Sequence, residues 1–308
     1  MHVALTGASG FLGTKVLDRL LQGGHTVTAL VHRTPLTPRP GLEIVAGRID
    51  AAETLRRFTA QADVVIHAAG VVAAARADTF HTVNAEGTRH LAEAAHEAGV
   101  GRFLLISSLA ARAPHLSAYA SSKGGAEAAL AAVPGLAWDA LRPPAIYGPG
   151  DAQILTFFKL LRHRVGLLPA GPGARVSLIH VRDLAEAIMA WIAHAHPAGH
   201  IYEVADGRHE GYTWRGLIDA AARELTVTPR YITPPGGLLS LVAHGLRLGA
   251  AVLGRAPFLT PDKLRELRHP DWVCDPTPFK AQTGWCPEIT LEEGLRDTLD
   301  WYRAQGWI

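Results

Sequence analysis

Tyr119 stands four residues before Lys123 in the stretch SAYASSKGGAE, residues 117–127. Any helix brings side chains at that spacing together. The spacing alone therefore admits a tyrosine acid with its lysine or simply two residues on one helical face. A second set opens the chain, TGASGFLG, with Gly7, Gly10 and Gly13 directly after an apolar run and at the start of a helical pattern. Gly7 permits a tight turn, Gly10 lets the backbone approach a pyrophosphate, and Gly13 lets the helix lie close against the strand. The helix N-terminus adds N–H donors and a favourable dipole. In that strand–turn–helix context the pattern reads as a dinucleotide site. Past the second strand, where Asp or Glu would accept from a ribose 2′-hydroxyl, the sequence is LVHRTP, with His32 and Arg33 and no acid. Arginine suits a 2′-phosphate, so NADP is expected in preference to NAD. Asp50, after AGRI, is expected beside the adenine.

The elements that must position these residues follow from periodicity. HVALTG (2–7), TVTALV (26–31), EIVAG (43–47), DVVIHAA (63–69), RFLLISS (102–108) and AWDALRP (137–143) read as strands. FLGTKVLDRLLQ (11–22) and NAEGTRHLAEAAHEAG (84–99) read as helices. This alternation predicts an α/β, Rossmann-type, doubly wound parallel sheet whose ligand crevice lies beyond the carboxyl ends of its strands. After about residue 144 Pro- and Gly-rich connections interrupt shorter helices, while 176–188 and 200–207 look like returns to the sheet. The expected division is 1–143 plus about 176–205 for the dinucleotide, with about 144–175 and 206–308 forming a smaller, mostly helical substrate domain built from insertions. The run 236–254 carries only His244 and Arg247 among apolar and small residues. These polar residues interrupt an already marginal span, so a lid helix or dimer contact is expected, not stable membrane insertion.

Composition narrows the partners. With 30 Lys+Arg against 28 Asp+Glu and no basic block, a nucleic-acid partner is not expected, and the 48% hydrophobic content suffices for a large core. Cys274 and Cys286 have no neighbour at metal-ligand spacing. They read as free thiols in a reducing cytoplasm, without a metal site. Met1 runs straight into a strand and a glycine turn, so no signal peptide is expected.

Taken together the motifs resemble those of the extended short-chain dehydrogenase/reductases, the NAD-dependent epimerase/dehydratase family. TGASGFLG matches the family's glycine turn, HAAG (67–70) its fourth strand end, and NAEGT (84–88) its NxxGT helix motif. ISSLA (106–110) carries its serine and YASSK (119–123) its YxxxK; LRPPAIYGPGD, IHVRDLAEAI and the C-terminal helix also fit. The resemblance implies that Tyr119 exchanges a proton with the substrate oxygen. Lys123 would hold the nicotinamide ribose and lower the tyrosine pKa, and Ser108, with Ser107 as fallback, would bond the same oxygen. It further implies cofactor contacts from Gly7, Ser9, Gly10, Phe11, Leu12, Gly13, His32, Arg33, Ile49, Asp50, Ala68, Ala69, Gly70, Asn84, Tyr119, Lys123 and Pro143. For Asn84 a capping or strand-bridging role stands equally open. His67 reads as a packed strand-end residue, and Asp183 as a helix cap.

The departures from the family pattern point to a reaction. Leu109 and Ala110 replace the Asp-Glu pair of the family's dehydratases. Val176 stands where nucleotide-sugar epimerases tend to place an arginine, with Arg175 one residue out of register and so on the other strand face. The expected activity is NAD(P)-dependent interconversion of a ketone and a secondary alcohol on a fairly apolar small molecule. The alternatives are a nucleotide-sugar 4-epimerase with tightly bound NAD, using Arg142, Arg162 or Arg164 for the pyrophosphate, and a non-catalytic dinucleotide-binding accessory protein.

Overall fold

The strands form where apolar, β-branched runs alternate between two buried faces. In the computed structural model, which describes residues 1–194, 198–235 and 260–308, they are β1 (His2–Thr6), β2 (Thr26–Val31), β3 (Leu42–Ala46), β4 (Val64–His67), β5 (Arg102–Ile106) and β6 (Trp138–Arg142). The strand His200–Glu203 joins them, giving the order His200–Glu203, β6, β5, β4, β1, β2, β3, all parallel. The order reverses between β1 and β4. The crevice at a reversal of this kind is where a doubly wound sheet takes its ligand.

Successive residues of the central strands feed opposite layers. Val3 and Leu5 of β1, with Val64 and Ile66 of β4, pack towards α1 (Phe11–Gln22) and the helix Val181–Ala193. Ala4 and Val65 face α2 (Ala52–Thr59), α4 (Gly87–Glu97) and α5 (Ala118–Ala131). In α1 the buried stripe is Leu12, Val16, Leu17 and Leu20, each aliphatic side chain contributing about 1.5–3 kcal/mol by burial. A third cluster gathers Tyr147, Phe158, Val176, Ile218, Leu295, Leu299 and Tyr302 from the later part of the chain.

Three expectations are modified. The helical pattern over 84–99 begins inside a π-helical turn, His81–Glu86, which follows α3 (Ala77–Phe80), and only then becomes α4. Of the two expected returns to the sheet, only His200–Glu203 takes the edge beside β6. Leu178–His180 instead pairs in parallel with Ala145–Tyr147, and Arg175–Val176 pairs with Tyr212–Thr213 and Asp271–Trp272. Finally, the cap of Val181–Ala193 is His180, because the carboxylate of Asp183 accepts from the N–H groups of Glu288 and Ile289 at 3.2 and 3.1 Å. The run 236–254 lies outside the described residues. Among the described residues no helix is long and apolar enough to cross a membrane.

Candidate active site

The glycine turn is shaped by how closely three backbone segments approach. Gly7 follows β1 with φ +76°, and its carbonyl accepts from Gly10 N at 2.9 Å. A Cβ on Gly7 would lie 2.7 Å from the Ala68 carbonyl carbon and the Ala69 nitrogen, so the end of β4 is pressed against the turn. A Cβ on Gly13 would fall 1.9 Å from Gly7 O, whereas one on Gly10 would meet only Gly7 O, at 3.2 Å. The outer side of Gly10 is thus open, and no side chain caps the N-terminus of α1. A helix start of this kind offers its first N–H groups to an anion, so the cradle fits a dinucleotide pyrophosphate. Ser9 lies in the turn, and Phe11 and Leu12 open α1, Leu12 buried and Phe11 half-buried.

The far end of the crevice carries exposed His32 and Arg33 immediately beyond β2. Ile49 packs its side chain against Gly87 of α4. Asp50 accepts two bonds from Arg48, at 2.8 and 2.6 Å, and these hold its carboxyl down at about 2.

At the other end, β4 and β5 deliver the remaining groups. Asn84, buried in the π-helical turn, accepts from Val71 N at 2.8 Å and donates to Val71 O at 3.0 Å and Ser122 Oγ at 2.9 Å. Ser122 in turn donates to Tyr119 O at 2.7 Å. Asn84 thereby bridges the loop after Gly70 to helix α5, and the π-turn is the local distortion that carries it there. His67 is fully packed between Thr6 Oγ1 at 2.6 Å and Thr88 Oγ1 at 3.1 Å, and burial pushes it down to about 3.

Ser107 and Ser108 diverge. Ser107 Oγ donates to Glu127, whereas Ser108 Oγ accepts from Ala110 N at 3.2 Å and the Ser108 side chain lies close enough to the Tyr119 hydroxyl to lower its pKa. The structure therefore brings Ser108, not Ser107, to the tyrosine. Leu109, buried in the next turn, donates its N–H to Pro143 O at 2.8 Å, which places Pro143 beside the serine turn.

Tyr119 sits in the first turn of α5, its ring edge-on to Phe80 with centroids 6.0 Å apart. Burial pushes its hydroxyl up to about 12; the nearby Ser108 side chain pulls the other way and the charge of Glu266 adds to the rise. Lys123 Nζ is buried and donates to Ile106 O at 2.9 Å. Desolvation lowers it to about 8, with Glu127 opposing the fall. The expected lowering of the tyrosine by its lysine is not what the chain alone displays, because burial governs both groups. A protonated Tyr119 is in the state of a proton donor.

Of the arginines considered for a pyrophosphate, Arg142 is bound to both oxygens of Glu127, at 2.8 and 2.6 Å. Arg162 and Arg164 are exposed. Arg175 donates to Glu210 O at 3.1 Å, and Val176 is buried in the third cluster.

Sequence reasoning missed two contributors to this site. Glu127 extends the Tyr119–Lys123 stripe by one more turn, and an acid at that spacing in an alanine-rich helix was the available signal. Glu266 receives a bond from Ser117, the N-cap of α5, across 149 residues of sequence, a contact without a local signature.

The model of the family described as "NAD dependent epimerase/dehydratase family" matches residues 3–205. The ceramide reductase of Caulobacter vibrioides (strain NA1000 / CB15N) is 39% identical over 311 residues, covering 99% of this chain and 96% of that protein. The 2-alkyl-3-oxoalkanoate reductase of Stenotrophomonas maltophilia (strain K279a) is 26% identical over 326 residues, 96% of this chain and 98% of that protein. Among solved structures, DesIV, a dTDP-glucose 4,6-dehydratase from Streptomyces venezuelae with NAD and TYD bound, superimposes with a TM-score of 0.77 at 24% identity, covering 100% of this chain and 98% of that one.

Proposed function

The chain belongs to the NAD-dependent epimerase/dehydratase family, the extended short-chain dehydrogenase/reductases, and we propose that within it Ser108, Tyr119 and Lys123 carry out ketone reduction on a largely apolar, lipid-like molecule. The observation that carries this reading is the convergence of Ser108, just beyond the end of β5, with Tyr119 and, one helical turn further along α5, the buried Lys123, whose Nζ donates to Ile106 O of β5 at 2.9 Å. A bound nicotinamide supplies the hydride. Ser108 orients the substrate oxygen, and Tyr119 gives its proton to the alkoxide-like oxygen as charge develops there, a step worth about a hundred- to ten-thousand-fold. Alkoxide basicity makes the transfer downhill even from a tyrosine raised by burial. Lys123 holds the nicotinamide ribose. The turn Gly7–Gly13, with Ser9, Phe11 and Leu12, binds the pyrophosphate; Ile49 and Asp50 flank the adenine; Ala68, Ala69, Gly70, Asn84 and Pro143 line the cofactor crevice.

Substrate class rests on what is missing as well as on what is present. Leu109 and Ala110 are buried apolar residues in the turn after Ser108, which leaves no acid–base pair there for dehydration. Val176 is turned into the third core cluster and Arg142 is committed to Glu127, which disfavours a nucleotide diphosphate at those positions. Val72, in the VVAAA segment just beyond Gly70, is half exposed and offers an apolar rim. The relative named ceramide reductase supports a lipid-like substrate. His32 and Arg33 support NADPH as the preferred reductant. The cofactor-holding part is taken as 1–143 plus about 176–205, and the substrate-facing part as about 144–175 with 206–308. Packing of Leu184, Ile188 and Trp191 into the α1 layer supports that division.

The test is turnover of NADPH, followed by nicotinamide absorbance, with ketones ranging from short acyclic compounds to long-chain 3-oxo lipids and with nucleotide sugars assayed for epimerised product. Efficiency rising with chain length is expected. Epimerisation of a nucleotide sugar without net NADPH consumption would replace this reading.

A further inference from the structure

Helix α5 carries Tyr119, Lys123 and Glu127 at successive four-residue steps, so the three side chains lie along one stripe facing the end of β5. Tyr119 and Lys123 are used by the proposed reaction; Glu127 is not. It is nevertheless buried, and its carboxylate has three bonds to accept. Oε1 receives Ser107 Oγ and, at 2.8 Å, Arg142 Nε; Oε2 receives Arg142 Nη2 at 2.6 Å. Ser107 is the residue immediately before Ser108, and Arg142 ends β6, directly before Pro143.

We infer that Glu127 is a positioning residue of the proton-transfer site: its carboxylate pins the Ser107 side chain so that Ser108 is presented to Tyr119, and it supplies the counter-charge for the buried Lys123 ammonium. The inference rests on the proposed roles of Ser108, Tyr119 and Lys123. The pinning follows from alternation, since adjacent residues in extended backbone point to opposite sides, and fixing Ser107 towards Glu127 fixes Ser108 away from it. Ser108 has extended dihedrals, φ −159° and ψ 148°. The counter-charge role follows from what surrounds Lys123. Ile106 O accepts its bond from β5. A Cβ on Gly70 would lie 3.4 Å from Nζ and 3.1 Å from Asn84 Oδ1, which brings the β4 loop and the π-turn against the same corner. The titratable groups around it are neutral His67 of β4, protonated Tyr119 on its own helix, and Glu127, with Arg142 of β6 bound on the carboxylate. Of these, Glu127 is the group whose field raises the lysine pKa against desolvation.

The experiment reads Lys123 directly. The chain has five lysines, Lys15, Lys123, Lys159, Lys263 and Lys280, so 13Cε labelling of lysine gives a spectrum in which Lys123 is assigned by its loss in Lys123→Arg. In wild type Lys123 should titrate near 8. In Glu127→Gln the midpoint should fall by about one pH unit or more, with kcat for ketone reduction falling more than tenfold and KM little changed. Glu127→Asp should restore the wild-type side of both. Because Glu127→Gln strands Arg142, the same titration is repeated for Glu127→Gln with Arg142→Met against Arg142→Met alone, so that loss of the Arg142 charge is common to both and the difference reports Glu127. A Lys123 midpoint unchanged in either background overturns the inference. If Tyr119→Phe retains wild-type turnover, the proposed function fails and the inference falls with it. Loss of turnover in Tyr119→Phe together with an unmoved Lys123 midpoint overturns the inference alone.

Discussion

Alanine placed at Gly13 and at Gly10 should damage the protein in distinguishable ways, because the two glycines lie three residues apart in one turn but face different neighbours. At Gly13 the new methyl would sit 1.9 Å from Gly7 O, 2.6 Å from Gly7 C and 2.9 Å from Ala8 Cα, all of them backbone. Restoring an ordinary contact of 3.4 Å requires α1 to retreat from the turn by about 1.5 Å. Overpacking of a tight contact costs about 1–3 kcal/mol, and an interior Gly→Ala substitution returns at most about 1 kcal/mol through helix propensity. The net expectation is a loss of about 1–2 kcal/mol in stability, with a displaced anion cradle as well. At Gly10 the methyl meets only Gly7 O at 3.2 Å. The apo fold should be nearly unchanged while the pyrophosphate is held away from the backbone, costing tenfold or more in affinity at about 1.4 kcal/mol per factor of ten. Thermal unfolding without cofactor, combined with NADPH titration by fluorescence, separates the two. Gly13→Ala should lower both Tm and affinity; Gly10→Ala should lower affinity alone. A Gly13→Ala protein with wild-type Tm and affinity would refute the assigned close approach, and a Gly10→Ala protein binding NADPH normally would refute the placement of the pyrophosphate.

Tyr119→Phe keeps the ring against Phe80 but removes the exchangeable proton, so turnover should fall about a hundred- to ten-thousand-fold with NADPH affinity nearly intact; steady-state rates with a fluorescence titration check it. Arg33→Ala should weaken NADPH binding selectively and leave NADH within about twofold, since only the former offers a 2′-phosphate to a guanidinium; competitive titration of the two cofactors measures the ratio. Lys123 titrates near 8 when folded against 10.5 when free, so the folded chain binds fewer protons between those values and its contribution to stability rises with pH across that window. The Tm difference between Lys123→Met and wild type should accordingly shift in favour of wild type as pH climbs from 8 to 10.5. A difference independent of pH would show that Lys123 is not desolvated.

What could be read along the chain was whatever depends on near neighbours. Alternation within VALT and VVIH, the stripe Leu12, Val16, Leu17 and Leu20, the three glycines of the first turn and the four-residue step from Tyr119 to Lys123 are all local. Local periodicity dictates which side chains share a face. It does not dictate what covers that face. The preference for Ser108 over Ser107 came with the family motif; what turns Ser107 away, the meeting of Glu127 and Arg142 beneath the serine turn, depends on a helix and a strand whose packing is decided by the whole sheet. Asn84 became a bridge because the π-turn brings it to Val71 and Ser122. Asp183 leaves the capping of its helix to His180, its carboxylate being taken by the N–H groups of Glu288 and Ile289, 105 and 106 residues away. The tyrosine pKa divides in the same way: the lysine four residues on is visible in the sequence, while the desolvation that pushes Tyr119 up exists only once the layers close around α5.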